Sequence, residues 1–154
     1  MIIEVPKVSP DGSTYSGDEP ADCLELGGEK RVRVEGPIHY VLFAQVVSHE
    51  LIVRGTLSVT LSLQCCRCAD FFSTSIRDSS FLRAYEVSEH VEVVDLTPDI
   101  REDILVDLPT YPVCSSGCKG LCPHCGMDLN TGTCSCQPPE ETGKWGGLDG
   151  LKLP

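Results

Sequence analysis

The chain has 154 residues, 41% of them hydrophobic and only 6% aromatic, with 12 basic and 23 acidic side chains for a net charge of −11. That length suits one aliphatic-cored domain, or a core domain with a small appendage. The charge disfavours general nucleic-acid binding, because phosphate backbones are repelled at long range. No apolar run approaches the ~20 residues of a membrane helix. The N-terminus lacks the basic and apolar regions of a secretory signal, so the expected compartment is the cytoplasm, where thiols stay reduced.

In chain order, "PKVSPDGSTYSGDEPAD" (6–22) is rich in Pro, Gly, Ser and Asp, and residues 1–22 are read as an irregular N-terminal segment. "CLELGGEK", Cys23 to Lys30, reads as a short strand ending in a Gly-Gly turn. From Arg31 the chain turns β-rich. Val32, Val34, Ile38, Tyr40 and Leu42 alternate with polar or smaller neighbours, and Leu57, Val59, Leu61 and Leu63 do so more strictly. Ser48, His49 and Glu50 suit a turn, and Gly55 a bulge or further turn. "ADFFSTSIRDSSFLRAYEV" reads as a long strand returning from the "CCRC" turn, and "VEVVDL" (91–96) as another. A short helix near 98–108 follows. Thr97 is its expected cap, Pro98 its first position, Ile100, Ile104 and Leu108 its apolar stripe, and Pro109 its stop.

The fold class expected is mainly β (α+β): an antiparallel sheet or barrel-like domain over 23–113 with one short helix. A Cys-rich, zinc-binding C-terminal segment, 114–154, would pack on that domain, with Trp145 in its tail as a packing residue or a partner anchor. Eight acids lie between 86 and 107 (Glu86, Glu89, Glu92, Asp95, Asp99, Glu102, Asp103 and Asp107) against one base, Arg101. They read as a solvated face, or more sharply as a docking face for a basic partner.

The chemistry sits in the cysteines. "VCSSGCKGLCPHCGMDLNTGTCSC" (113–136) holds six of the ten. Cys65 and Cys68 form C-x-x-C, Cys114 and Cys118 C-x-x-x-C, Cys122 and Cys125 "CPHCG", and Cys134 and Cys136 C-x-C. Such turns bring two sulfurs to one side of a tight loop, as tetrahedral zinc requires, and four pairs match two four-sulfur sites. Gly126 would let the backbone curl over the metal, so that its N–H and those near it donate to the thiolates. Disulfides lose on compartment. A redox pair at Cys65 and Cys68 would need a strand-to-helix setting, and the flanks read as strands. Cys23 and Cys66 are left as ordinary thiols. His39, His49 and His90 have no partner at triad or ligand spacing, and His124 is expected to face water. With no phosphate loop, paired acid and base or activated Ser, no enzyme is expected.

"RVEGPIHYVLFAQVVSHELIVRGTLSVTLSLQCCRC", "LP" at Leu108–Pro109, and "CKGLCPHCGMDLN" from Cys118 to Asn130 resemble the YceD family, the large ribosomal RNA subunit accumulation proteins. The resemblance implies a bacterial or organellar, non-enzymatic factor for large-subunit ribosomal RNA accumulation and ribosome assembly. Some family members keep the first C-x-x-C and the pair after "LP" while losing the later cysteines. That variation divides the ligands into Cys65, Cys68, Cys114 and Cys118 for one structural Zn2+, and Cys122, Cys125, Cys134 and Cys136 for the other. A ribosomal protein or pre-ribosomal particle is the implied partner. Direct RNA contact through Arg67 and Lys119 is the competing mode, and no membrane or small-molecule substrate is implied. The family's acidic-Pro-Arg stretch is replaced here by "ETGKWGGLDGL". A zinc-ribbon module in transcription and a thiol redox protein are the rival classes.

Overall fold

The structure is a computed structural model that describes residues 1–88 and 91–136. His90, Trp145 and the rest of the tail from 137 lie outside the described residues. Among the described residues there are seven strands and one α-helix: β1 Ile2–Glu4, β2 Ser13–Glu19, β3 Val32–Val34, β4 Ile38–Val47, β5 Glu50–Gln64, β6 Phe71–Glu86, β7 Val93–Asp95 and α1 Thr97–Val106. All pairings are antiparallel.

β5 is the spine. One of its edges carries β6 along its whole length, and the other carries β4 opposite Glu50–Ser58 and β3 opposite Leu61–Leu63. β3 and β4 therefore act as one strand broken at Glu35-Gly36-Pro37, where proline has no N–H for the ladder. The β4–β5 hairpin turns at Ser48 and His49, with Ser48 at φ 56°. β2 flanks β4, and the sheet stays open between β2 and β6.

The alternation read from the sequence sets which face is covered. Leu51, Val53, Leu57, Val59, Leu61 and Leu63 of β5 are buried with Ile38, Leu42 and Ala44 of β4 and Phe81 of β6. A small second sheet, β1 with β7, and helix α1 supply the other side of the core through Ile3, Val94, Leu96, Ile100 and Ile104.

Gly55 marks a bulge, for a reason its sequence context did not show. The β5–β6 register shifts between Gly55 and Leu57, and the extra residue lies on β6 between Asp78 and Phe81. Asp78 holds that irregularity, its Oδ1 accepting from the Ser80 N–H at 2.7 Å and the Ser80 hydroxyl at 2.6 Å. Gly55 is needed for close approach to β4, because a Cβ there would lie 2.1 Å from the Val41 carbonyl oxygen and 2.8 Å from Leu42 Cα.

Three local expectations are corrected. The N-terminal 22 residues are not irregular: they contain β1, a 3-10 turn at Val5–Lys7 and all of β2. β2, STYSGDE, is a mostly small and polar edge strand held by backbone bonds that its composition does not advertise. Cys23–Lys30 is not a strand but two 3-10 turns, Ala21–Leu24 and Leu26–Gly28, joined at Glu25 with φ 52°. They bury Leu24 beneath α1, where Arg101 Nε donates to the Leu24 carbonyl at 3.4 Å. Thr97 does not cap α1. Asp95 does the equivalent work, accepting the Thr97 N–H at 2.9 Å and the Thr97 hydroxyl at 2.6 Å. These bonds hold the Asp95 carboxyl below its ordinary range.

The acidic stretch also changes character. Asp99 accepts the Tyr85 hydroxyl at 2.5 Å and Arg83 Nε at 3.3 Å, and Asp103 pairs with Arg83 Nη2. Both carboxylates therefore clamp α1 onto β6 rather than face a partner, and Asp95 is engaged at the helix start. Glu86, Glu92, Glu102 and Asp107 remain exposed.

Replacing Gly55 with Ala is expected to destabilise the fold by about 2–3 kcal/mol, since backbone must move to admit the Cβ. Gly36→Ala, with nothing within 4 Å of its Cβ position, is expected to change stability by less than ~0.5 kcal/mol. Thermal or denaturant unfolding of the two variants checks this.

Candidate metal centres

Two groups of four sulfurs form, and they divide the cysteines as Cys65, Cys68, Cys114, Cys118 and as Cys122, Cys125, Cys134, Cys136, with the ligand atoms in each group within 4.8 Å of one another. Both groups could hold a metal ion. In the first, Cys65 Sγ lies 3.9 Å from Cys118 Sγ, and Cys68 Sγ lies 3.7 Å from Cys114 Sγ. A tetrahedron with metal–sulfur bonds of ~2.3 Å has edges of ~3.8 Å, so these separations fit one ion with no rearrangement.

The first group joins two distant parts of the chain. Its "CCRC" half is the turn between β5 and β6, closed by the Cys65 N–H to the Asp70 carbonyl at 2.8 Å and the Ala69 N–H to the Cys65 carbonyl at 3.0 Å, with Ala69 at φ 62°. Its other half arrives after α1 and Leu108–Pro109. The Cys66 N–H binds the Pro112 carbonyl at 2.8 Å, the Leu121 N–H binds the Arg67 carbonyl at 3.0 Å, and Arg67 Nη1 binds the Cys118 carbonyl at 3.0 Å. Arg67, read from the sequence as a candidate RNA contact, thus holds the tail to the turn. Cys65, Cys68 and Cys118 are buried, and Cys114 is exposed.

The second group is built on a small hairpin. Leu121 and Asp128 form an isolated antiparallel bridge, supported by the Cys122 N–H to Met127 O at 2.8 Å and the Leu129 N–H to Gly120 O at 2.9 Å. Cys122 and Cys125 lie within this loop. Gly126 turns it at φ 73°, and its own N–H donates to the Cys122 carbonyl at 2.9 Å, while the nearby N–H groups of Cys125 and His124 meet the Cys122 sulfur. Cys122 is buried, Cys134 half-buried, and Cys125 and Cys136 are exposed, as is His124.

The electrostatics of each group ask for a cation. Burial opposes the charged form of Cys65, but the N–H groups of Cys68, Cys114 and Arg67 outweigh it and bring the thiol down to about 6. The N–H groups of Cys125 and His124 do the same for Cys122, also to about 6. Cys68 and Cys136 are shifted the other way. The Asp70 N–H favours the Cys68 thiolate, yet burial and the neighbouring sulfurs push Cys68 up to about 12. The Cys125 sulfur, with burial, pushes Cys136 up to about 12. Several thiolates at this spacing repel, so full deprotonation of either group requires a positive ion between them.

Sequence reading missed one residue of the site. Asn130 Nδ2 points at Cys118 Sγ at 3.5 Å and donates to Asp128 Oδ1 at 2.7 Å, while its Oδ1 accepts the Lys119 N–H at 2.8 Å. It stood in the family-like motif, but only the folded hairpin brings it back to a cysteine 12 residues earlier. Of the remaining candidates, Cys23 is half-buried beside the main core and Cys66 exposed, both outside the groups. His39, expected to have no carboxylate partner, meets Asp18 across the β2–β4 ladder at 2.5 Å on an exposed surface. His49 lies in the exposed hairpin turn.

Residues 82–152 match the family model described as Large ribosomal RNA subunit accumulation protein YceD. Over these residues, a little under half of the chain, the sequence is similar to the YceD family. The matched segment contains six of the eight clustered cysteines, while Cys65 and Cys68 lie before it. An uncharacterised protein of Mycobacterium tuberculosis is 31% identical over 102 residues, covering 57% of this chain and 49% of the relative. A chloroplastic protein of Arabidopsis thaliana, described as large ribosomal RNA subunit accumulation protein YCED homolog 1, is 32% identical over 62 residues, 40% of this chain and 19% of that protein. Its namesake in Zea mays is 41% identical over 46 residues, 29% and 16% of the two chains. The chain spans about half the length of the mycobacterial relatives it matches. No solved structure matches. Among the described residues no helix is long and apolar enough to cross a membrane.

Gly120 tests how tightly the two halves of the first group must dock. It has φ 74°, and a Cβ would lie 2.9 Å from the Arg67 carbonyl oxygen that Leu121 uses. Gly120→Ala is expected to cost about 1–2 kcal/mol for the left-handed backbone alone, and to weaken metal retention in the first group. Gly117→Ala, in open space, is expected to leave both unchanged. Unfolding curves and competition with a chromophoric chelator measure the two effects.

Proposed function

We propose that this chain is a non-enzymatic factor for large-subunit ribosomal RNA accumulation and ribosome assembly, acting through a surface that two zinc ions hold in shape. The observation that carries the reading is the family match over 82–152, which contains six of the eight clustered cysteines. The chemistry of the donors favours zinc. Four thiolates in a tetrahedron suit a soft-tolerant ion with no redox activity, and a shell filled by protein sulfur leaves no position for substrate water. The metal's role is then structural, and the protein's work lies in binding.

The partner proposed is a pre-ribosomal particle in the cytoplasm, met through a basic ribosomal protein. The exposed acids Glu92, Glu102 and Asp107 around α1 support this choice, and the chain's −11 charge argues against extended RNA as the first contact. The eight sulfur ligands are Cys65, Cys68, Cys114 and Cys118 for one ion, and Cys122, Cys125, Cys134 and Cys136 for the other.

Depleting the protein and quantifying ribosomal RNA tests the function. Mature large-subunit RNA is expected to fall relative to small-subunit RNA, and unchanged precursor and mature levels would overturn the reading in favour of a transcription module. Metal analysis tests the sulfur chemistry, with about two zinc ions per chain expected. A metal-free protein carrying reversible disulfides would instead identify a thiol redox protein. Chelation is expected to lower the melting temperature. The first site closes loops of 46 and 53 residues, and a cross-link of that length removes about 4 kcal/mol of unfolded-chain entropy.

A further inference from the structure

We propose that Asn130 couples the two metal centres, so that filling the second strengthens binding at the first. The inference rests on the metal reading above and goes beyond it, because two adjacent structural sites need not communicate.

Asn130 belongs to both sites by different atoms. Its side-chain Nδ2 donates toward Cys118 Sγ, a ligand of the first group, at 3.5 Å. Its backbone N–H and the same Nδ2 are held by Asp128 Oδ1 at 2.9 and 2.7 Å, and Asp128 bridges Leu121 in the hairpin that carries Cys122 and Cys125. Thr131 Oγ1 adds a bond to the Asp128 carbonyl at 3.1 Å. The amide is therefore oriented by the second group's hairpin while its proton is spent on the first group's sulfur. The Asn130 Oδ1 bond to the Lys119 N–H fixes which end of the amide faces Cys118, since the oxygen is already committed to a donor.

The second group controls this residue by chain geometry. Its ligands flank Asn130, with Cys122 and Cys125 before it and Cys134 and Cys136 after it. An ion there pins both ends of the intervening segment. Without that ion, Asn130 is held only by the hairpin's own hydrogen bonds, in a region whose sulfurs are mostly not buried. A two-stranded hairpin of this kind is marginal in water by itself. Metal at the second centre thus removes the disorder that positioning Asn130 would otherwise cost, and the placed N–H stabilises the Cys118 thiolate under the first metal. Linkage makes the effect reciprocal: the first ion strengthens the second by the same factor. Outer-shell donors to metal ligands change affinity by about 10–100-fold, and about tenfold is expected here.

A double-mutant cycle with Co2+ as the probe tests the coupling in the full chain. Thiolate-to-cobalt absorption reports binding at each centre. Cys122→Ser with Cys125→Ser disables the second centre. With Asn130 in place, this pair is expected to weaken Co2+ binding at the first centre about tenfold. In Asn130→Asp, which replaces the amide donor by an acceptor of the same size, the first centre is expected to be weak already and the serine pair to cost little more. Asn130→Gln keeps an amide and is expected to restore part of the coupling, which a merely structural role for the side chain would not produce. Equal losses from the serine pair in the parent and in the Asn130→Asp background, or no loss in either, would overturn the coupling while leaving two metal sites standing. Failure of the parent chain to bind Co2+ at all would overturn the metal reading with it.

Discussion

The crowding of four sulfurs at the end of the β5–β6 turn is the constraint on which the arrangement depends. Cys65 and Cys68 leave the sheet there, and Cys114 and Cys118 arrive from beyond α1. Backbone N–H groups favour ionising Cys65, while burial and the neighbouring sulfurs oppose ionising Cys68 and Cys114. Such a group is poised between thiol and thiolate and becomes a strong clamp only when a cation takes the charge. The positions of Leu108–Pro109, the Cys66–Pro112 bond and the docking of Gly120 on Arg67 all follow from bringing those four residues together.

The rest of the molecule makes that clamp worth having. A single sheet with one face covered by α1, β1–β7 and the 3-10 turns has its helix attached by apolar contacts from Ile100 and Ile104 and by the Arg83 link to Asp99 and Asp103. Among the described residues, the chain following the helix has little core of its own. Its apolar side chains Tyr111, Leu121 and Met127 are exposed, and the buried residues among 109–136 include Cys118, Gly120 and Cys122. A metal ion held by these sulfurs would replace the hydrophobic core that so short a segment cannot build. On the function proposed above, an interaction surface made from this region would keep its shape through bound metal rather than through packing.

The distribution of carboxylates bears on what that surface meets. Eight acids between 86 and 107 suggested a broad negative face, but Asp95, Asp99 and Asp103 are turned to structural bonds at the start of α1 and against β6. The negative face that remains is narrower. Arg67, one of the few bases near the sulfurs, is likewise engaged with a backbone carbonyl. Charge counts along a sequence therefore overstated both the acidic docking face and the basic one, because neither says which side chains fold back on the protein.

Sequence by itself determined the strands of the core and the donor set of the candidate centres. Strict alternation in Leu57–Leu63 reports a half-buried strand because side chains on a pleated backbone repeat every two residues, and close cysteine pairs mark candidate metal donors because the spacing is local. The family resemblance divided the eight cysteines into two sets, and the same sets come together in space. Only the tertiary structure decided the rest. Strand β2 is held by backbone pairing that its polar residues conceal, Gly55 is small because another backbone passes 2.1 Å from where its Cβ would be, and Asn130 reaches Cys118 through a hairpin. Each of these depends on which distant segment lies alongside, and no local pattern in a chain carries that information.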